Sequence, residues 1–229
     1  MSTLAQMVQT VYRNLRDLGD GEATQLVTDT EYEGFVASAI NRYSVDHPRT
    51  IVASVVASGT VRDTLPTDWE DGFSVLGEVQ YPADEVPPEV RDPRTYAVMR
   101  IPTGLRLTWL ESTPTASAAV WLAYTVRHTI STTASTFPDG HYWAVADLAS
   151  AIAADSIAAR YASTRDNAFG GEAVSARTKA QEWQSIAKRF EAHYRDALAA
   201  STKGASGRVN WDQSMSMGGD FLTHKRANR

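Results

Sequence analysis

"SAAVWLAYTVRHTISTTASTFPDGHYWAVADLASAIAADSIAARYAST", Ser117–Thr164, carries two hydrophobic periods in one continuous stretch. Up to Val126 the period is two. Val120, Leu122, Tyr124 and Val126 share one face, and Trp121 and Ala123 share the other, the pattern of a strand in a sheet. After Pro138 the period becomes helical. Val145, Leu148 and Ile152 lie on one side, with Ala146, Ala149, Ala153 and Ile157 beside them. A stripe this wide, made of small residues, suits a helix packed tightly between neighbours. Asp139 stands where a helix cap is expected. The serine–threonine run "TISTTAST" reads as the connection between strand and helix.

Upstream, the opposite switch lies near Thr50. Leu4, Met7, Val8, Val11, Leu15 and Leu18 recur at three and four, which predicts a first helix ending near Gly19. Tyr32, Phe35, Val36, Ile40 and Tyr43 predict a second. Thr30 and Glu33 have capping-box spacing, and Pro48 ends the run. From Thr50 the segments are short and β-branched. "TIVASVVAS" is one strand. "FSVLGEVQYP" is another, with Phe73, Val75, Val79 and Tyr81 expected on one face. "TYAVMRIP" and "GLRLTWLE" are joined by Pro102-Thr103-Gly104, a hairpin signal. Strands at this spacing form an antiparallel sheet or a small sandwich.

Downstream, Trp183, Ile186, Ala187, Phe190, Tyr194, Ala197 and Leu198 predict a strongly amphipathic last helix, with Trp183 and Phe190 as its buried keystones. After Ala200 the pattern ends in a Gly- and Ser-rich segment, expected to be extended or disordered when alone. The expected fold class is α+β, mainly an α-helical bundle with an inserted antiparallel β-domain and an extended C-terminal tail. Residues 1–49 and 130–200 form the bundle, 50–129 the insert and 201–229 the tail. The ends of an inserted domain lie close together, so a bundle can accept one.

Composition narrows the function. The 229 residues are 43% hydrophobic and 21% charged, enough for a sizeable core. The net charge of -5 argues against a surface that wraps nucleic acid. With no cysteine, disulfides, thiolate zinc sites and cysteine nucleophiles are all excluded. The N-terminal stretch lacks the apolar core of a signal peptide, and no apolar run is long enough to span a bilayer. A soluble cytoplasmic protein is expected.

Catalytic signatures do not emerge. His47, His128, His141, His193 and His224 lack HxxxH or HExxH spacing. Asp147 and Asp155 are about two helical turns apart, so with His141 they read as a helix start and two polar face residues. No GxSxG elbow, GxxxxGK[ST] loop or GxGxxG turn is present. From Asp63 to Asp92 nine acids (Asp63, Asp68, Glu70, Asp71, Glu78, Asp84, Glu85, Glu89, Asp92) face one base, Arg91. Without EF-hand spacing they read as solvated loops. The tail has the opposite bias, with Lys203, Arg208, Lys225, Arg226 and Arg229 against two aspartates. Such a tail suits nucleic acid or an acidic protein. Trp211, Phe221 and Leu222, as apolar anchors, favour the protein.

Three phrases, "LPTDWEDGFSVLGEVQYP", "YAVMRIPTGLRLTW" and "VWLAYTVRHTI…FPDGHYWAVADLASAIAADSIAARYA", resemble the head–tail adaptor (connector) proteins of tailed bacteriophages. The family pattern is matched at Leu65, Pro66, Asp68 and Trp69, at Tyr81 and Pro82, at Tyr124, Thr125 and His128, and at His141 and Trp143. The likeness covers most of residues 1–200. It implies a structural virion protein of the head–tail neck, assembled in the host cytoplasm into a homo-oligomeric ring, usually a dodecamer. The ring sits beneath the portal protein, meets tail or neck proteins on its other face, and passes genomic DNA without binding it specifically. It implies no enzyme activity, no cofactor, no metal and no membrane. The tail, through Trp211, Phe221, Leu222, Lys225, Arg226 and Arg229, is expected to dock on the portal. Trp69 is expected to pin its acidic loop to the sheet. The rival readings are a small metal- or His/Asp-dependent hydrolase or nuclease, and a nucleic-acid-binding module acting through the basic tail.

Overall fold

The computed structural model describes residues 3–15, 27–83, 85, 89–163 and 172–202, with the backbone alone at 172–178 and 200–202. Its elements run α1 (Leu4–Leu15), α2 (Asp29–Asp46), β1 (Arg49–Val56), β2 (Arg62–Asp63), β3 (Leu76–Gln80), β4 (Tyr96–Ile101), β5 (Gly104–Trp109), β6 (Ala119–Val126), a single 3-10 turn (Asp139–His141), α3 (Tyr142–Ser163) and α4 (Glu172–Thr202). The α+β class read from the sequence is the class observed.

The helices pack around α3. Its small side chains let neighbours approach on almost every side: Ala144, Ala146, Ala149, Ala153 and Ala154 are buried with Val145, Leu148 and Ile157, and α1, α2 and α4 all contact it. From α1 come Met7, Val8, Val11 and Leu15, the expected stripe; Leu18 lies outside the described residues. The N-terminus of α2 differs from expectation by two residues. Thr28, not Thr30, is the cap, and Glu31, not Glu33, closes the box. Thr28 N donates to Glu31 Oε2 at 2.8 Å and Glu31 N to Thr28 Oγ1 at 3.4 Å. Both Thr–Glu pairs have the right spacing. The observed one places Val27 and Tyr32 at the hydrophobic-staple positions, both buried in one core. Asp139 likewise falls inside the 3-10 turn and not at a cap of α3, which begins three residues later.

On α4 the buried residues are Ala180, Ala187, Tyr194 and Leu198. Trp183 and Phe190, expected as keystones, are half-buried at the margin, and Ala197 is exposed. The keystone is Tyr194, 1% exposed, whose hydroxyl donates to Asp46 Oδ2 at 2.6 Å and ties α4 to the end of α2.

The strands form two three-stranded antiparallel sheets, ordered β1-β6-β3 and β2-β5-β4. Val79, Val120, Leu122 and Tyr124 from the first meet Tyr96, Leu107 and Trp109 from the second. This is the small sandwich. The β4–β5 hairpin turns through Pro102-Thr103 into Gly104, whose φ of +113° favours glycine. In β3 one extra residue lies between Leu76, opposite Tyr124, and Val79, opposite Leu122. This bulge reverses the facing of the residues before it. Val75 is therefore 64% exposed while Val79 is buried, which corrects the expectation that they share a face.

The described acids of the 63–92 segment are solvent-exposed, as read from the sequence, with one exception. Asp63, 3% exposed, accepts bonds from Trp109 Nε1 and Ser58 N, each at 2.7 Å. Glu70 accepts from Arg127, Asp71 from Arg100, and Glu89 lies 3.7 Å from Arg91. Arg100 and Arg127 are remote in sequence and neutralise the acids only once the sheets form.

Candidate functional site

The helical and sandwich clusters share no buried residue. They meet at a seam made by the end of α2, the residues after β6 and the 3-10 turn. Tyr43, 1% exposed, is its centre. Four rings surround it: His47 stacked at 5.8 Å, His128 tilted at 5.1 Å, and Phe137 and His141 edge-on at 6.2 and 5.8 Å. Helical spacing puts His47 one turn beyond Tyr43. Pro138 and the 3-10 turn bring in His141, and the end of β6 delivers His128.

Hydrogen bonds fix the protonation pattern. Burial pushes the Tyr43 hydroxyl up to about 12, so it remains protonated. Its oxygen lies 2.5 Å from His141 Nδ1, within hydrogen-bond distance. His128 Nε2 donates to the His47 carbonyl at 3.0 Å, and Thr136 Oγ1 lies 3.3 Å from His128 Nδ1. His128 N donates to Ser44 Oγ at 2.9 Å, a second tie from the strand to α2. Both imidazoles are held below the ordinary histidine range: His128 by burial, then by the Arg49 and His141 charges, against hydrogen bonds that favour its charged form; His141 by burial and then by His47. The seam thus favours neutral rings acting as connectors. The hydroxyls on these imidazoles, Tyr43 and Thr136, tie the end of α2 to the segment that follows β6.

Asp147 and Asp155 do not join this group. Burial raises the Asp147 carboxyl, with His193 opposing that shift. Among the described residues no group of three or more His, Cys, Asp or Glu is placed to hold a metal ion. Nor is any described helix long and apolar enough to cross a membrane. Trp69 does pin its loop: its ring lies 5.6 Å from that of Tyr124, tilted by 33°. Trp211, Phe221, Leu222, Lys225, Arg226 and Arg229 lie outside the described residues. Sequence reading missed the seam, because Tyr43, His47, His128 and His141 are scattered over almost a hundred residues. The only local signal was two histidines flanking a change of period.

No protein-family model and no curated protein matches the chain. Seven chains of solved structures align with it, among them these three. The neck of an empty GTA particle computed with C6 symmetry gives a TM-score of 0.29 at 16% identity, covering 77% of this chain and 88% of that one. The virion of a native gene transfer agent particle gives 0.29 at 15% identity, over 79% and 88%. The neck of a native GTA particle computed with C12 symmetry gives 0.28 at 12% identity, over 80% and 92%. At these TM-scores the alignments do not establish a common fold.

Proposed function

We propose that the chain is a structural subunit of the neck of a tailed-phage-type particle, a head–tail adaptor that assembles with copies of itself into a ring between portal and tail. In this reading residues 1–49 and 130–200 are the ring-forming bundle. Residues 50–129 are an inserted sandwich presenting a separate surface. Residues 201–229 dock on the portal through Trp211, Phe221 and Leu222, with Lys225, Arg226 and Arg229 steering by charge. The protein has no turnover of its own.

One observation carries the reading. Four of the residues through which the sequence resembles the adaptor family, Trp69, Tyr124, His128 and His141, are used as joints. Trp69 of the LP-x-D-W phrase stacks on Tyr124 of the Y-T-x-x-H strand. His128 of that strand and His141 of the following phrase both close on Tyr43. A pattern whose members brace an architecture points to a role carried by surfaces, where an enzyme pattern would converge on a cleft with polar groups. Negative-stain microscopy of the purified chain with and without portal protein tests this. Rings, or portal particles bearing an added collar, are expected. A chain that neither forms rings nor binds portal overturns it.

A further inference from the structure

A sheet edge is a row of unpaired backbone groups, and proteins blunt such edges by shortening, bulging, charging or covering them. Three of the four edges of this sandwich are managed in these ways. β2 is two residues long. β3 is bulged, and its far side is covered by residues 89–91 through Tyr81 N to Glu89 O at 3.1 Å and Arg91 N to Val79 O at 2.8 Å. β4 carries Arg100, ion-paired with Asp71, and stops at Pro102.

Among the described residues the fourth edge, β1, has none of these devices. It pairs with β6 over all eight residues without a register shift, so its free side is as regular as its paired side. Its sequence, RTIVASVV, is β-branched, lacks proline, and bears its only charge at the first position. Its outward side chains are apolar where they are most exposed: Val52 is 62% exposed and Val56 67%. Across the register Val52 lies opposite Ala123 and Val56 opposite Ala119, beside Trp121, so the open face continues as an apolar strip.

We infer that the β1 edge is a self-association surface: in the free protein it pairs antiparallel with β1 of a second copy, joining two sandwiches into one continuous six-stranded sheet. The strand is complementary to itself. With Ala53 on the two-fold axis, Val52 faces Ser54 of the other copy and Thr50 faces Val56. Residues of like facing then oppose each other, as a pleated sheet demands. On the open face Val52 and Val56 of each copy then lie beside Ser54 and Thr50 of the other. The two Arg49 charges stand eight residues apart along the strand, about 27 Å, so they do not repel strongly. A two-fold contact closes on itself. This pair is therefore a state of the free chain, distinct from any ring, and does not depend on the neck reading.

The absence of cysteine makes the register testable in the full chain. Ala53→Cys places a thiol on the axis and is expected to give a covalent dimer on mild oxidation. Thr50→Cys, about 20 Å from its own mate in this register, is expected to give none. In sedimentation the unmodified chain should be a dimer. Val52→Lys with Val56→Lys, both at exposed positions, should raise the dimer dissociation constant by ~tenfold or more while leaving the melting temperature of the monomer unchanged. A monomer at all accessible concentrations, equal cross-linking of the two cysteine variants, or a dimer insensitive to the lysine pair each overturns the proposal.

Discussion

The bundle and the sandwich solve the same burial problem with different materials. In the bundle, α3 contributes mostly alanines and the order comes from many close backbone approaches. In the sandwich, a few large side chains fill the space between two sheets, and the buried pair of Asp63 and Trp109 fastens β2 to β5. Stability in the first is spread out. In the second it is concentrated in single residues and one buried hydrogen bond. A polar side chain as buried as Asp63 is held by the donors that satisfy it, so the sandwich is the more sensitive region to loss of one partner.

The largest expected effect tests whether the two cores are independent. Leu122 and Leu148 are both fully buried, one in each cluster. Truncating either to alanine should cost about 2–5 kcal/mol. In hydrogen exchange, Leu122→Ala should expose β1, β3 and β6 and leave α3 protected, and Leu148→Ala should do the reverse. Uniform loss of protection in both regions would show that sheet and bundle unfold as one.

Next in size is the buried strut. Trp109→Phe keeps the ring but removes the Nε1 donor from Asp63, leaving the carboxylate with Ser58 N. A loss of about 1–3 kcal/mol is expected in denaturant titration, confined to the sandwich. A loss within 0.5 kcal/mol or so, like that of an ordinary surface change, would mean that water replaces the indole.

A smaller effect probes the seam, where the two regions meet. His128 and His141 both titrate below the ordinary histidine value when folded. The unfolded chain therefore binds more protons in that window, and stability rises with pH through it. Their contribution is complete above about pH 6.5 and is lost as pH falls through the folded values. Melting temperature should therefore fall between pH 7 and pH 5, and less so in His128→Gln. A profile flat over this range, or an unchanged slope in the variant, would remove the histidines as its source.

The smallest effect has the opposite sign and lies within the bundle. Burial raises the Asp147 carboxyl, so its charge at neutral pH costs stability. Asp147→Asn should raise the melting temperature slightly, by the equivalent of less than about 1 kcal/mol. A clear fall would show that the attraction of His193 outweighs burial.

How far the sequence could be read depended on how local each signal was. The period change at Pro138, the alternation in β6 and the hairpin at Pro102-Thr103 are all carried by neighbouring residues, and all appear as expected. The β3 facing was misread because a bulge adds one residue without any change in composition; Gly77 was the only hint. The α2 cap was misread because two Thr–Glu pairs satisfy one local rule, and the choice between them rests on where Val27 packs. On α4 the stripe was legible but its order of burial was not. Size nominated Trp183 and Phe190, whereas Tyr194, bonded to Asp46 of α2, is the most deeply buried.

Composition and periodicity alone determined the helix–strand–helix order, the α+β class and the absence of cysteine chemistry, since these follow from neighbours along the chain. The tertiary structure alone decided that Arg100 pairs with Asp71 and Arg127 with Glu70, that Asp63 is interior, that three histidines close on Tyr43, and that β1 is the edge left unpaired among the described residues. Each of these depends on residues brought together across tens of positions. No local period records such distances, because only chain closure and packing bring the groups within reach.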